Sequence, residues 1–206
     1  MRSRMRDLTH VAVALAAALL SAGVCATEIE PPEDAGLPVG RVAPDFSLSA
    51  QDGKQVSLAS LLKKGPVAVV FHRSADWCVY CKLQMVQLEG HLNEIEAVGG
   101  QVVAISYDPV EKLQNFANRS KITFPMLSDA DSKTIDAYGV RSPDAPPKFS
   151  GISRHATFIL DQSGVIRAKM FRLSYKERSA VDALINALKE ARTIKEASNI
   201  KPESTP

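Results

Sequence analysis

The sequence predicts an α/β layer fold, and three observations support this prediction. Residues 66–71 form a continuous apolar run, which is typical of a strand buried on both faces of a sheet. Strand and helix patterns then follow in the order hairpin, strand, helix, strand, helix, strand, hairpin and helix. Two cysteines lie between the first central strand and the next helix, where such sheets usually place their active sites.

The first half of the chain gives clear signals for each element. Apolar and polar residues alternate over 46–49 and again over 56–58, and the turn sequence at 51–54 between them predicts a hairpin. After the second cysteine, one helix is predicted from an apolar stripe at helical spacing, and Gly99 and Gly100 end it. The stripe consists of Cys81, Met85, Leu88, Leu92 and Ile95.

In the second half, a strand is predicted over 101–107, followed by a helix with Asp108 as N-cap, Pro109 as first helical residue and an end near Arg119. A short strand over 123–127 precedes a helix over about 132–138. A second hairpin covers 155–160 and 165–171. The terminal helix runs from about Tyr175 to Arg192, with Val181, Leu184, Ile185 and Leu188 on one face.

The N-terminal segment has the pattern of a secretory signal peptide. Three arginines precede the apolar run 11–20, and Val24-Cys25-Ala26 resembles a small-x-small cleavage site, so we expect cleavage after Ala26. An uncleaved anchor is the weaker alternative because the run is short for a bilayer, and a lipid-modified Cys25 is another. The predicted organisation is a signal peptide at 1–26, a flexible Pro-rich and acidic leader at 27–39, one domain at 40–192 and a disordered tail at 193–206.

Charge and hydropathy limit the partners. The whole chain has a formal charge of +2, and removal of the signal peptide leaves a charge near zero, so we expect no nucleic-acid partner. We also expect no integral membrane span after signal removal and no bound cofactor. Export would place the protein in an oxidising compartment, where disulfides are stable.

The segment Trp77-Cys78-Val79-Tyr80-Cys81 is the centre of the functional prediction, because its cysteines are the only ones left after cleavage. A thiolate at a helix start can attack a sulfur or a peroxide oxygen, and a thiol one turn later can resolve the product. A structural disulfide, a buried pair of small apolar side chains and half of a zinc site are the alternatives. Zinc is the weakest, since the chain has no second Cys-x-x-Cys.

Three segments resemble the alkyl hydroperoxide reductase and thiol-specific antioxidant family, the peroxiredoxin-like proteins of the thioredoxin-like superfamily. They are 40–46 (GRVAPDF), 124–129 (FPMLSD) with 138–140 (YGV), and 156–161 (ATFILD) with Gly164. The resemblance implies a thioredoxin-like fold, with a central mixed sheet flanked by helices and an N-terminal β-hairpin extension.

The chain also departs from the patterns of these relatives. Peroxiredoxins carry Pro and Thr seven and three residues before the peroxide-reacting cysteine, where this chain has Phe71 and Ala75, so only Ser74 could supply that hydroxyl. Trp-Cys-x-x-Cys resembles thioredoxins, but their cis-proline position corresponds here to His155. Peroxiredoxins tend to have an arginine near this place, and Arg154 is adjacent.

These patterns assign roles to the candidate catalytic residues. Cys78 is the predicted nucleophile, with its pKa lowered by the helix N-terminus and by a cation such as Arg73 or Arg154, and Cys81 is the more buried resolving thiol. His155 is the candidate for acid–base work or thiolate contact, with a structural role as the alternative. Trp77 would cover one side of the pair or simply pack. Of the remaining residues, His72 is predicted to be structural, Asp76 to face solvent and His91 to lie at the surface.

The leading functional prediction is an exported thiol–disulfide oxidoreductase of peroxiredoxin-like type. Peroxide reduction, with Cys78 forming a sulfenic acid that Cys81 condenses with, is the close second. Two further classes of protein also fit the pattern: a copper-binding metallochaperone that uses both cysteines and His155, and a binding module with a vestigial dithiol. Expected partners are protein or small-molecule disulfides or hydroperoxides, and an external thiol electron donor.

Overall fold

The structure is a computed structural model and describes residues 36–171 and 181–199. The predicted signal peptide, residues 27–35 of the predicted leader, the predicted start of the last helix near Tyr175 and residues 200–206 lie outside the described residues. Leu37, which the sequence places in the leader, donates its N–H to the Tyr138 carbonyl at 3.2 Å and packs against the core. This part of the leader is therefore attached to the folded domain.

Seven strands form one mixed sheet, which confirms the predicted fold class. The strands are β1 (Ser47–Ala50), β2 (Gln55–Ser57), β3 (Val67–Phe71), β4 (Gln101–Ser106), β5 (Met126–Ser128), β6 (Ala156–Leu160) and β7 (Ile166–Phe171). Their order across the sheet is β2-β1-β5-β4-β3-β6-β7. β3, β4 and β5 run parallel, whereas β6, β7, β1 and β2 join by antiparallel pairing. Both predicted hairpins, β1–β2 and β6–β7, are present.

Helices cover both faces of this sheet, and β3 lies at its centre. The helices are α1 (Leu58–Leu62), α2 (Val79–Gly90), α3 (Leu92–Ala97), α4 (Val110–Ser120), α5 (Lys133–Ala137) and α6 (Val181–Asn199). Every residue of β3 is buried, and alternate residues enter two cores. Val67, Val69 and Phe71 face the core beneath α1 and α5, while Ala68 and Val70 face the core beneath α2, α3, α4 and α6.

The predicted single helix after the cysteines is interrupted. α2 ends at Gly90 and α3 begins at Leu92, with His91 in a non-helical conformation between them. Glycine is a poor helix former, and the break at His91 directly follows Gly90. The apolar stripe nevertheless faces inward on both segments, since Cys81, Met85, Leu88 and Ile95 are buried. Periodicity alone could not detect the break because the stripe continues across it.

Two helix starts differ from prediction. Ser57 ends β2 and caps α1 by accepting the Ser60 N–H at 3.2 Å, so Leu58 begins a helix that the sequence analysis missed. Asp108 does not cap α4. The N-cap is Pro109, no side chain caps the helix, and the Asp108 carboxylate is used elsewhere.

Other boundaries shift by a few residues. The strand predicted over 123–127 is β5 at Met126–Ser128, and the helix predicted over 132–138 is α5 at Lys133–Ala137. The terminal helix continues beyond the predicted end at Arg192 to Asn199, so the first part of the predicted tail is helical. Among the residues that the structure describes, no helix combines the length and the apolar character needed to cross a bilayer.

Tyr138 joins the segment before β1 to the core. Its ring is fully buried against Phe71 and Phe158, with ring centroids 5.0 and 5.4 Å away. Burial, and secondarily the Asp45 carboxylate, raise the pKa of the Tyr138 hydroxyl, so the group stays protonated. It donates to the Pro44 carbonyl at 3.0 Å and thereby ties the segment before β1 to the sheet.

Candidate active site

The two cysteines lie at the start of α2, as predicted. Cys78 is the N-cap residue with extended backbone, and Cys81 occupies the first turn. A disulfide joins them, with their Cα atoms 5.3 Å apart. Cys78 is 4% exposed and Cys81 is fully buried, so Cys81 is the more buried of the two, as predicted. The outer sulfur is therefore the one that an external reagent meets first.

The local hydrogen bonding favours negative charge on the outer sulfur. The Cys81 N–H donates to Cys78 Sγ at 3.3 Å. In the reduced state, this donor and the positive end of the 12-residue helix α2 would both stabilise a Cys78 thiolate. The N-cap position thus supplies the electrostatics that a nucleophilic cysteine needs.

His155 faces the dithiol because of strand register. β6 pairs antiparallel with β3, and Phe71 lies opposite Ala156. The residue before Ala156 is consequently placed beside the end of β3, next to the loop that leads to Cys78. The His155 Nε2 lies 3.9 Å from Cys81 Sγ, and the side chain is 6% exposed. The predicted contact between His155 and the cysteine pair is present, and it is made with the inner sulfur.

A buried carboxylate organises the loop before Cys78. Asp108 is 3% exposed, and its Oδ2 accepts the Ala75 N–H at 2.6 Å and the Ser106 hydroxyl at 2.8 Å. Its Oδ1 accepts the Ser74 hydroxyl at 2.8 Å. We call these four residues the Asp108 network. Because the carboxylate receives three donors, the loop is fixed to the end of β4.

The network continues to the residue beside Cys78. The Ser74 Oγ accepts the backbone N–H groups of Asp76 at 2.9 Å and of Trp77 at 3.3 Å. Ser74 therefore donates its hydroxyl proton to Asp108 and uses its oxygen to hold the loop. Ser74 is the residue that could replace the peroxide-binding hydroxyl of peroxiredoxins, but its hydroxyl donates to Asp108. Ala75 offers no hydroxyl at all.

Trp77 is held from several sides. Its ring stacks on Phe149 with centroids 4.4 Å apart, and its Nε1–H donates to the Tyr107 hydroxyl at 3.0 Å. The Arg73 guanidinium lies over the ring at 5.2 Å. These contacts establish a packing role for Trp77, and its assignment as a catalytic residue stays a prediction. Arg73 brings a positive charge to the loop before Cys78, and its expected action on the Cys78 thiol stays a prediction.

The other predicted site residues have the following places. Arg154 is half-buried, and its N–H donates to the Val140 carbonyl at 2.7 Å; its proposed action on Cys78 stays a prediction. His72 is fully buried at the end of β3, and its carbonyl accepts the Ser153 hydroxyl at 2.9 Å. Asp76 is exposed, as predicted, and its carboxylate pairs with Lys112 at 3.2 Å. His91 lies at the surface beside Glu94, also as predicted.

Sequence reasoning missed Asp108, Tyr107 and Phe149 as neighbours of the site. The first two could have been found, since β3 and β4 are parallel and their carboxyl ends meet at one edge of the sheet. A polar residue directly after β4 must then lie near the loop after β3. Phe149 belongs to a short 3₁₀ turn, Pro147–Phe149, in a Pro-rich loop for which the sequence carries no positional signal.

Comparison with known proteins identifies the family. The model of the AhpC/TSA family matches residues 39–169, which is more than half of the chain. The chain belongs to the AhpC/TSA family. It is similar to peroxiredoxin Bcp of Escherichia coli K12, with 32% identity over 156 residues, covering 75% of this chain and 97% of that protein. It is also similar to alkyl hydroperoxide reductase E of Mycobacterium tuberculosis, with 36% identity over 133 residues, covering 64% and 83%.

Solved structures agree with this assignment. Peroxidoxin BcpB from Mycobacterium tuberculosis has a TM-score of 0.67 and 25% identity, covering 75% of this chain and 97% of that one. A peroxiredoxin-like protein from Aquifex aeolicus has a TM-score of 0.67 at 22% identity, covering 76% and 88%, which shows the shared fold. This AhpC/TSA protein is therefore a thioredoxin-like, peroxiredoxin-like protein and a thiol-dependent oxidoreductase.

The Asp108 network predicts a stability defect with a matched control. Asp108→Asn replaces one acceptor oxygen by a donor and should lower the free energy of unfolding by about 1.5–3 kcal/mol, the range for hydrogen bonds to charged groups. Asp76→Asn, in the same loop but exposed, should cost less than about 1 kcal/mol. Urea unfolding of the disulfide form measures both. Equal stability of the two variants would show that the network does not hold the loop.

Proposed function

We propose that this AhpC/TSA protein is an exported thiol–disulfide oxidoreductase that cycles between the dithiol and the disulfide of Cys78 and Cys81. One observation supports the proposal most strongly: the disulfide sits in the first turn of α2, with His155 Nε2 3.9 Å from the inner sulfur. Nucleophile, resolving thiol and proton acceptor are thus within reach of one another.

The first step uses the outer cysteine. The Cys78 thiolate attacks one sulfur of a substrate disulfide, a new bond forms between Cys78 Sγ and that sulfur, and the second substrate sulfur leaves as a thiolate. The helix N-terminus and the Cys81 N–H stabilise the attacking anion. The product is a mixed disulfide between the protein and half of the substrate.

The second step uses the inner cysteine. His155 Nε2 accepts the proton of the Cys81 thiol, the resulting thiolate attacks Cys78 Sγ, and the remaining half of the substrate leaves as a thiolate. The protein disulfide is formed, and two electrons have moved from the protein to the substrate. An external dithiol donor then reduces the protein disulfide by the reverse exchange and is itself oxidised.

Hydroperoxide reduction is the second candidate, and the comparisons favour it, since the relatives are a peroxiredoxin and an alkyl hydroperoxide reductase. Here the Cys78 thiolate attacks a peroxide oxygen, the O–O bond breaks, and the alkoxide takes up a proton and leaves as an alcohol. Cys81 attacks the resulting sulfenic acid, and water leaves as the disulfide forms. Both reactions end in the same disulfide.

The loop chemistry favours the disulfide substrate. An alkoxide is a far more basic leaving group than a thiolate, so breaking an O–O bond needs donors aimed at the departing oxygen. The donors next to Cys78 in the sequence are engaged within the loop: Ser74 and Ala75 donate to Asp108, and Trp77 donates to Ser74. A thiolate leaving group, with a pKa near 8.5, needs less help.

Competing substrates separate the two candidates. Trp77 is the only tryptophan and lies next to Cys78, so its fluorescence should report the redox state in stopped-flow mixing. We expect rapid oxidation by glutathione disulfide or a peptide disulfide, and a hydrogen peroxide rate close to that of free cysteine. A peroxide rate more than about 100-fold above free cysteine would overturn the disulfide assignment in favour of the peroxidase. Cys78→Ser should abolish the signal with either oxidant.

His155 should act in the second step only. A chromogenic aromatic disulfide releases one coloured thiolate when Cys78 attacks and another when Cys81 resolves, so the two phases are seen separately. In His155→Gln, the first phase should stay unchanged and the second should slow by about 100-fold at neutral pH. The second phase of the variant should keep rising with pH until the thiol ionises unaided, at about 8.5.

The control for this experiment is His91→Ala, because His91 is a surface histidine on the same side of the sheet as α2 but outside the site. Both phases of this variant should match the unchanged protein. A second phase of normal rate and pH profile in His155→Gln would assign His155 a structural role.

The proposal includes export, which would place the protein in an oxidising compartment where disulfide substrates are stable. The supporting pattern is the arginine-rich start, the apolar run 11–20 and the small-residue end at Ala26. The intact mass of protein recovered from a Gram-negative host's periplasm should correspond to a chain beginning at Thr27. Recovery of the uncleaved chain in the cytoplasm would contradict export without affecting the thiol chemistry.

A further inference from the structure

Three metal-binding side chains converge at the dithiol. Cys78 Sγ, Cys81 Sγ and a ring nitrogen of His155 all lie within 4.8 Å of one another, and all three residues are buried. Within residues 36–171 and 181–199, this is the only group of three or more His, Cys, Asp or Glu side chains with such spacing. The ligands come from a helix start and a strand start that the sheet register holds side by side.

The distances suit a three-coordinate ion. Metal–sulfur and metal–nitrogen bonds of about 2.3 and 2.0 Å, at trigonal angles, place sulfur and nitrogen about 3.7 Å apart. Cys81 Sγ and His155 Nε2 are separated by 3.9 Å, which is close to this value. Only the two sulfurs must separate when the disulfide is reduced, and rotation of the two cysteine side chains can supply that movement.

The donor set selects the kind of metal. Two thiolates and an imidazole are soft and borderline ligands, which exclude Mg²⁺ and Ca²⁺ and suit Cu(I) or Zn²⁺. Structural zinc sites take four ligands, and the group described here has three. Cu(I) is stable with two or three soft ligands in a site closed to water, and burial of Cys78, Cys81 and His155 provides such a site.

We propose that the reduced protein binds one Cu(I) ion through Cys78, Cys81 and His155. On binding, the two thiols lose their protons to solvent and two sulfur–copper bonds form, with no change in the oxidation state of sulfur or copper. The same sulfurs form the disulfide, so metal binding and the disulfide exclude each other. Copper would occupy the site only in the reduced state, and oxidation of the dithiol would release it.

The test is an anaerobic titration of the reduced protein with Cu(I), in competition with a chromogenic Cu(I) chelator. A Cys25→Ser background leaves only the two site thiols. We expect one ion per chain, an ultraviolet thiolate-to-copper absorption band, and an X-ray absorption spectrum with two sulfurs and one nitrogen around copper. The disulfide form, which is folded, should not compete with the chelator.

Variants identify the ligands. Cys78→Ser and Cys81→Ser should lose the absorption band, and His155→Gln should bind at least about tenfold more weakly, a difference of about 1.4 kcal/mol. His91→Ala should bind like the unchanged protein. Unchanged affinity in His155→Gln, half an ion per chain, or equal binding by the disulfide form would each overturn the proposal. These readouts are independent of turnover, so a failure of the redox proposal would not be mistaken for failure of this one.

Discussion

The pairing of β3 on both of its edges is the constraint on which the site depends. β4 runs parallel to β3, and β6 runs antiparallel to it. The carboxyl ends of β3 and β4 and the amino end of β6 therefore meet at one edge of the sheet. The loop before Cys78, the carboxylate of Asp108 and the ring of His155 all lie at that edge, although they come from three distant parts of the sequence. Full burial of β3 fixes the register, because a one-residue slip would move Val67, Val69 and Phe71 into the opposite core.

Much of this arrangement could be predicted from the sequence. The apolar run of β3, the glycine-containing turns of both hairpins and the stripe of α2 are local signals, and each identified its element. The contact between His155 and the dithiol came from counting along a family pattern, which encodes the pairing of β6 with β3. What the local patterns could not supply was the break at His91 and the start of α1 at Leu58, since the apolar spacing is continuous across the first and compatible with a strand at the second.

Asp108 shows why a correct local rule can give a wrong assignment. An aspartate before a proline at a helix start is a good N-cap, and the sequence predicts it as such. In the structure, the carboxylate accepts the Ser74 hydroxyl and the Ala75 N–H from the loop after β3, and the Ser106 hydroxyl from the end of β4, all within 2.8 Å. A buried carboxylate is stable only when enough donors reach it, and the loop after β3 supplies two of the three. Tertiary contacts therefore determine which groups the Asp108 carboxylate binds, whereas the local sequence determines only its position before α4.

The fixed loop also holds the start of α2, where the disulfide lies. The disulfide connects the N-cap residue of α2 with a residue in its first turn, and α2 begins at Val79 with the disulfide in place. The Asp108 network holds residues 74–77 from outside the helix, and Met85 and Leu88 anchor α2 in the core. The helix and its anchoring contacts are thus present together with the disulfide. His155 directly precedes β6 and does not belong to the helix, so its position beside the inner sulfur follows from the pairing of β6 with β3. The frame that holds the two cysteines at the start of α2 therefore also keeps the His155 ring beside the inner sulfur.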